Sequence, residues 1–354
     1  MTIPNAEVLR PAPPVEGTPA MAHILPTHRR SQRITLLLAA TAAALSACSP
    51  SDTSAHDGPT GTSATTAAPR GAVTRAEADR ILDRYQEINN KANKARDAGL
   101  LATVEAGQLY ARSKADYEQF DTLSAQEKKD AATPFFFTRR TFYIPPADNW
   151  FAAAASTNGT NHTFMIFEKS ADTGGTWKKV VSLFPQQPLP DPQIKDDLAV
   201  PADEGTPVGN LAPSGVTDAI EDLFTTGGTK DGSKLSHANA NASAKAILKT
   251  YKERRDHLGA KATVNFFPIA PTHNKTYTLT TSSGVLVITA LAHKEESLVT
   301  NAGLQISPSE KEAVYNKTPR SLVVDSFQGE AVVHLPRQGK PEILDYRYAL
   351  VDSR

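Results

Sequence analysis

Apolar and polar positions alternate along the chain with two different periods. Over residues 74–88, Ala78, Ile81, Leu82, Tyr85 and Ile88 return every three or four positions and fall on one face of a helix. Thr74 and Glu77 have the spacing of a capping box that would start it. A second helical stretch carries Leu109, Tyr110, Tyr117 and Phe120, and Ser124 with Glu127 opens a short helix that must stop before Pro134. Beyond Pro134 the period falls to two. The runs PFFFTRRTFYIPP, NWFAAAASTNG, HTFMIFEKS and TWKKVVSLFP predict four strands, the last two joined as a hairpin across the turn-rich ADTGGT.

The same order returns later in the chain. Residues 244–253 read AKAILKTYKE where residues 78–87 read ADRILDRYQE, so Ala, Ile, Leu, Tyr and Glu recur at the same places. The runs TYTLTTS, VLVITALAHK, EAVVHLP and EILDYRYALVD then predict four more strands, with an insertion over 295–321 that has its own capping box, Ser309 with Glu312. Between the halves, residues 187–241 are rich in Pro, Asp, Gly, Ser and Asn, with one short helix predicted at 217–224. The expected fold class is therefore α+β, with two tandem domains, each a long helix over a four-stranded antiparallel sheet. That outline resembles the cystatin-like and NTF2-like cone folds.

The N-terminal region has a different character. The basic patch HRRSQR at 28–33 precedes twelve uncharged, mostly apolar residues from Ile34 to Leu45, the n-region and h-region of a secretory signal. As a helix this run spans about 18 Å, short of the roughly 30 Å hydrocarbon core of a bilayer, so a permanent membrane span is the weaker reading. Leu45, Ser46, Ala47 and Cys48 follow directly. They resemble the lipobox of bacterial prolipoproteins, in which the Cys is acylated on sulfur and becomes the new N-terminus. Cys48 is the sole cysteine, so no intrachain disulfide can form, and its thiol is the nucleophile that a thioether to diacylglyceryl requires. With about 0.8 kcal/mol per buried CH₂, two or more acyl chains, palmitate among them, would hold the protein stably on a membrane. The chain offers two starts, Met1 and Met21, and Met21 would leave the leader of more ordinary length. Residues 49–71, made mainly of Ser, Thr, Gly, Ala and Pro, have little to bury and predict a flexible tether. The expected divisions are a signal peptide over 1–47, a tether over 48–72, a first α+β domain over 73–190, an interdomain linker over 191–240 and a second α+β domain over 241–354.

Charge narrows the partners. Lys plus Arg and Asp plus Glu both number 38, and without the first 47 residues, which hold four Arg and two Glu, the balance is 34 to 36. A chain so nearly neutral has no basic stripe for nucleic acid, and no nucleic-acid partner is expected. The expected partners are membrane lipid through Cys48 and another envelope protein or a cell-wall component, at the extracytoplasmic face of the cell membrane.

The search for chemistry yields few candidates. The sequence has no G-x-S-x-G, S-x-x-K, H-E-x-x-H or P-loop motif, and no metal, cofactor or catalytic residue is expected. His162, His273, His293 and His334 lie on or beside predicted strands and could meet in space. Tyr85 and Tyr251 occupy equivalent places in the repeat, so with His293 and Glu295 they form a candidate pocket. The more common fate of such tyrosines is core packing with the hydroxyl at the rim. Arg139 and Arg140, set among aromatics, could bind a carboxylate or a phosphate, although strand alternation alone puts one of them outward.

The lipobox, the tether and the stretch from TRAEADRILDRYQEINNKANKARDAGLLATVEAGQLY onward resemble a family of predicted actinobacterial, Streptomyces-like lipoproteins with a domain of unknown function. The resemblance covers most of the exported chain. It implies a surface location and brings no activity or ligand. The leading expectation is a noncatalytic binding or scaffold protein of the cell envelope. The alternative is a small-ligand-binding or hydrolytic protein with its pocket in one cone-like domain.

Overall fold

In the computed structural model, which describes residues 7–9, 70–146, 148–159, 161–237 and 242–354, a short strand β1 (Glu7–Leu9) precedes the first helix. Of the signal expected over 1–47 only Glu7–Leu9 is described, and of the tether over 48–72 only residues 70–72; Leu45, Ser46, Ala47 and Cys48 lie outside the described residues. Helix α1 (Arg75–Ala95) starts where its pattern places it. The Thr74 side chain accepts from the Glu77 amide, and the Glu77 carboxylate accepts from the Thr74 amide at 2.7 Å. After Arg96, in the left-handed region at φ 53°, come α2 (Ala98–Leu101), α3 (Gly107–Glu118) and α4 (Ala125–Ala132), the last opened by the Ser124 and Glu127 capping box.

Strands β2 (Phe137–Tyr143), β3 (Trp150–Thr157), β4 (Asn161–Glu168) and β5 (Lys178–Leu183) form an antiparallel meander in chain order. Arg139 stands at φ 52° in a register shift of β2 and is exposed. The shift turns Arg140 toward α1, where its guanidinium pairs with Asp79 at 2.8 Å and Asp83 at 2.7 Å. These two arginines thus part ways, one to solvent and one to an ion pair with the acidic ridge of the helix.

The segment between the halves carries β6 (Ile194–Lys195), β7 (Leu198–Ala199) and α5 (Val216–Thr225). Val216, Ala219, Ile220, Leu223 and Phe224 of α5 are buried in the core of the second half. The backbone around β6 and β7 bonds to the first sheet's Ile144 and to Thr280 of the second. The stretch expected as a linker over 191–240 therefore contributes core.

The second half continues with α6 (Ala242–Asp256), β8 (Ala262–Pro268), β9 (Thr276–Thr280), β10 (Gly284–Val299), β11 (Leu304–Ile306), β12 (Leu322–Pro336) and β13 (Glu342–Ser353). The sheet order is β13, β12, β10, β8, with β9 also on β10. β9 pairs residues 285–289 of β10 and β8 pairs residues 293–299. They act as one edge strand interrupted at residues 269–275, a loop that contains Pro271 and His273. A proline supplies no amide to a ladder, which suits a break at an edge. The insertion expected over 295–321 is shorter, because β10 runs to Val299 before the chain crosses over. β11 in that crossover pairs in parallel with β1.

The fold is α+β with antiparallel sheets, in four layers. Helix α1 covers one face of the first sheet through Leu82, Tyr85, Phe151, Met165 and Phe167. Helices α5 and α6 cover one face of the second through Ile220, Phe224, Ile247, Val287 and Leu291. The other two faces meet. Trp150, Phe164, Ile166 and Leu183 of the first sheet pack on Tyr277, Leu279, Leu286, Ile288 and Val332 of the second in one shared core. Each such side chain removed from water contributes about 1.5–3 kcal/mol. Among the described residues, no helix is long and apolar enough to cross a membrane.

Candidate functional site

Two polar clusters interrupt the apolar seam between the sheets. The first gathers on Glu168, the last residue of β4, which is 1% exposed. Strand alternation points Glu168 the same way as Ile166 and Phe164, into the seam, where it meets the interrupted edge of the second sheet. His273 Nε2 lies 3.3 Å from Glu168 Oε2 and 3.0 Å from the Tyr277 hydroxyl. Its Nδ1 lies 3.2 Å from Asp172 Oδ2 in the β4–β5 hairpin. The Tyr277 hydroxyl donates to Glu168, and Lys275 Nζ stands 3.2 Å from the same oxygen and donates to Asn149 Oδ1 at 2.9 Å.

Burial opposes the charge of Glu168. Hydrogen bonds from His273 and Tyr277 and the Lys275 ammonium outweigh it and draw the carboxyl down to about 2. The hydrogen bond to Glu168 raises His273 above its ordinary value against its burial, and Asp172 adds to the rise. With an acceptor before each ring nitrogen, the surroundings match imidazolium.

The second cluster joins α3 to β12. Arg112 donates through Nε to Glu330 Oε2 at 3.0 Å and through a second nitrogen to the other oxygen, a bidentate pair with Glu330 0% exposed. The Ser182 amide of β5 also donates to Glu330, at 3.2 Å. Beside it, Lys179 Nζ donates to Ser182 Oγ at 3.0 Å and lies 4.0 Å over the Tyr85 ring. Burial lowers the Lys179 ammonium to about 8 although Glu105 and Glu330 pull it back up. Glu105 accepts from the Tyr85 hydroxyl at 2.8 Å and from Asn89 at 3.2 Å, and burial raises its carboxyl.

A third polar group lies inside the second half. His293 is 1% exposed and stacks on Phe224 at 4.8 Å and on Phe327 at 5.2 Å between ring centroids. Arg254 Nη1 stands 3.3 Å from His293 Nε2. An arginine can only donate, so Nε2 accepts and Nδ1 carries the proton toward Glu221 Oε2 at 3.2 Å. Arg254 also lies 3.9 Å over Phe327 and 3.5 Å from Glu295 Oε2. Glu295 stands directly across from Asp325 on β12, and Asp325 Oδ1 is buried without a hydrogen-bond partner. Burial, with Glu312 and Glu295 nearby, pushes the Asp325 carboxyl well above the usual range.

The structure thus brings His293 and Glu295 onto one strand face with Arg254 between them, and places the two tyrosines of the candidate pocket apart. Tyr85 is in the first core, 2% exposed, while Tyr251 is half-buried on α6 against Phe266 at 5.4 Å. The four histidines do not meet either: His162 is exposed on β4, His334 is bonded to Ser283 Oγ at 3.0 Å, and His273 and His293 belong to different clusters. Glu168, Asp172, Arg112, Glu330 and Glu221 escape a motif search. The one local signal is an acid set inside or at the end of an apolar strand, as in HTFMIFE and GEAVVHLP.

A cavity of about 40 Å³ lies between the helices of the first half and the crossover of the second. Asn93, Arg96, Asp116, Tyr117, Phe120 and Lys311 are among its lining residues. Pockets for small molecules run to about 300–1,000 Å³, so this one suits a few waters. Burial lifts Asp116 at its wall to about 6. Among the described residues, no group of three or more His, Cys, Asp and Glu could hold a metal ion.

Residues 69–354 match the family model for a domain of unknown function, DUF8094. Among curated proteins, an uncharacterized lipoprotein of Streptomyces coelicolor is 28% identical over 333 residues, covering 90% of this chain and 93% of its own length. No solved structure matches the chain.

Proposed function

We propose that this chain, which belongs to the DUF8094 family of domains of unknown function, is a lipoprotein anchored through Cys48 at the extracytoplasmic face of the membrane. There it serves the envelope as a noncatalytic binding or scaffold protein. The observation that carries the anchoring is the full-length likeness to a Streptomyces lipoprotein together with Leu45, Ser46 and Ala47 before the sole cysteine. The scaffold role is supported by the use of the buried charges. Glu168 of the first sheet bonds to His273 in the edge loop of the second, and Glu330 of the second, paired with Arg112 of α3, accepts from the Ser182 amide of the first, which braces the two sheets. The halves are read as two copies of one cystatin-like or NTF2-like unit, since α1 and α6 each precede a meander and share the Ala, Ile, Leu, Tyr, Glu pattern.

Crosslinking in intact cells tests the role: recovery of an envelope protein or cell-wall component above background is expected, and recovery of none would overturn the scaffold reading. Fractionation tests the anchor. Cys48→Ser is expected to leave the membrane fraction, and a variant that stays there as the parent does sinks it.

A second reading, a small-ligand-binding or hydrolytic protein, has one observation in its favour. Asp325 Oδ1 is buried without a partner beside Glu295 and near His293. A small molecule that binds the parent and is lost from Glu295→Gln would support that reading; binding that survives the change would remove it.

A further inference from the structure

We propose that His273 is a proton-operated latch between the two sheets: charged, it clamps the β4–β5 hairpin of the first sheet to the interrupted edge of the second, and neutral, it lets the hairpin go. The loop at 269–275 exists because β8 and β9 fail to join, and it drives His273 into the seam until the ring is 4% exposed. Approach is close. A Cβ on Gly107, the first residue of α3, would come within 2.6 Å of His273 Cβ, so that position, at φ 63°, accommodates only glycine.

Among the described residues, charged and titratable groups face the ring from four elements. β4 supplies Glu168, the hairpin supplies Asp172, the loop itself supplies Lys275, and β9 supplies Tyr277, whose hydroxyl also feels Asp148 before β3. From α3 come uncharged groups, with Gln108 Oε1 accepting the His273 amide at 3.2 Å. The amide end of that helix disfavours positive charge, and two carboxylates, one per ring nitrogen, outweigh it. Imidazolium donates to both. Neutral imidazole has one N–H to give, so either Glu168 or Asp172 must lose its hydrogen bond. Asp172 is the one that can leave: its side chain is 71% exposed, whereas Glu168 keeps Tyr277 and Lys275. The hold is complete below the ordinary histidine range and is lost as pH rises through the raised midpoint of the folded state.

The test is an NMR titration of His273 in the full chain, with hydrogen exchange at residues 171–175 followed across the same pH range. The expected midpoint lies above the ordinary value of about 6.5. Hairpin amides should exchange about tenfold faster above the midpoint than below it, after correction for intrinsic base catalysis. Asp172→Asn, which touches no core, should move the midpoint down, and His273→Gln should abolish the pH dependence of hairpin exchange. A midpoint at or below the ordinary value, or equal protection on both sides of it, overturns the latch. Should His273→Gln fail to fold, Asp172→Asn decides: an unmoved midpoint is equally fatal. The outcome is independent of the anchor and of any envelope partner.

Discussion

Helices α1 and α6 carry the same short sequence and do different things with it. In α1 the buried stripe runs Ala78, Leu82, Tyr85, Asn89 and Ala92. In α6 it holds Ala244 and Ile247, with Arg254 reaching over Phe327 and Tyr348. From Ile247 onward the second helix presents positions one earlier in the repeat: Ile247 answers to Ile81 rather than to Leu82, and Arg254 to Ile88 rather than to Asn89. The difference comes from α5. Its Ile220, Leu223 and Phe224 fill space over the second sheet that has no counterpart over the first, and α6 packs beside it. Gly227, at φ 76°, lies so near Tyr251 that a Cβ there would stand 2.7 Å from the ring. A repeated pattern therefore specifies a repeated helix, while the facing it adopts is set by what else the sheet must carry.

The largest effect expected tests whether the halves are joined as firmly as their seam implies. Glu330→Gln leaves the Arg112 guanidinium without its countercharge in a dry site, and a loss of about 3–5 kcal/mol in denaturant unfolding is expected. The parent should unfold in one transition, and two separated transitions would show the halves to be independent. Next comes the tyrosine pair. Tyr85→Phe takes a hydrogen bond from buried Glu105 and Asn89 and should cost about 2–3 kcal/mol. Tyr251→Phe, at a half-exposed place, should stay within about 0.5 kcal/mol of the parent. Equal costs would break the contrast between the helices.

Acidity separates the halves further. Glu168 is held below its unfolded value, so its contribution is present above the ordinary carboxylate range and fades as pH falls toward about 2. Asp325 is held above its unfolded value, so stability is complete in acid and declines as pH rises through the folded midpoint. Asp325→Asn should therefore gain about 1–2 kcal/mol at pH 8 by removing a charge that burial disfavours, and gain little in acid; thermal melts at two pH values would show it. An equal shift at both would rule the titration out as the cause. The last loss is local: Thr74→Ala removes the cap of α1 and should cost about 1 kcal/mol, with loss of helix confined to its first turn.

Much of the fold was legible because its signals are local. Capping boxes at Thr74, Ser124 and Ser309 lie where the sequence puts them, and so do the four strands of the first sheet. β8 was not read. Ala262, Val264 and Phe266 do alternate with Thr263 and Asn265, but the run is short, breaks its period at Phe267 and ends on Pro268, and it becomes a strand through pairing with the far end of β10. The helix predicted at 217–224 was read in place and not in role, since only the folded second sheet makes it core. The candidate pocket fared by the same rule. His293 and Glu295 share a strand face by alternation alone, whereas Tyr85 and Tyr251 are equivalent only in sequence. His273 was one of four histidines beside strands. Its partner Glu168 is 105 residues away, and no periodicity reports a contact made by laying one sheet on another.

That back-to-back arrangement constrains how the chain can be dissected. A fragment ending at residue 190 would leave Phe164, Ile166 and Leu183 facing water, and one beginning at residue 241 would strip Leu286, Ile288 and Val332 of their cover and lose α5 as well. Each piece, however complete its own meander looks on paper, would be a sticky half-sandwich prone to self-association. Recombinant work on this family is therefore best served by boundaries that keep residues 69–354 in a single polypeptide.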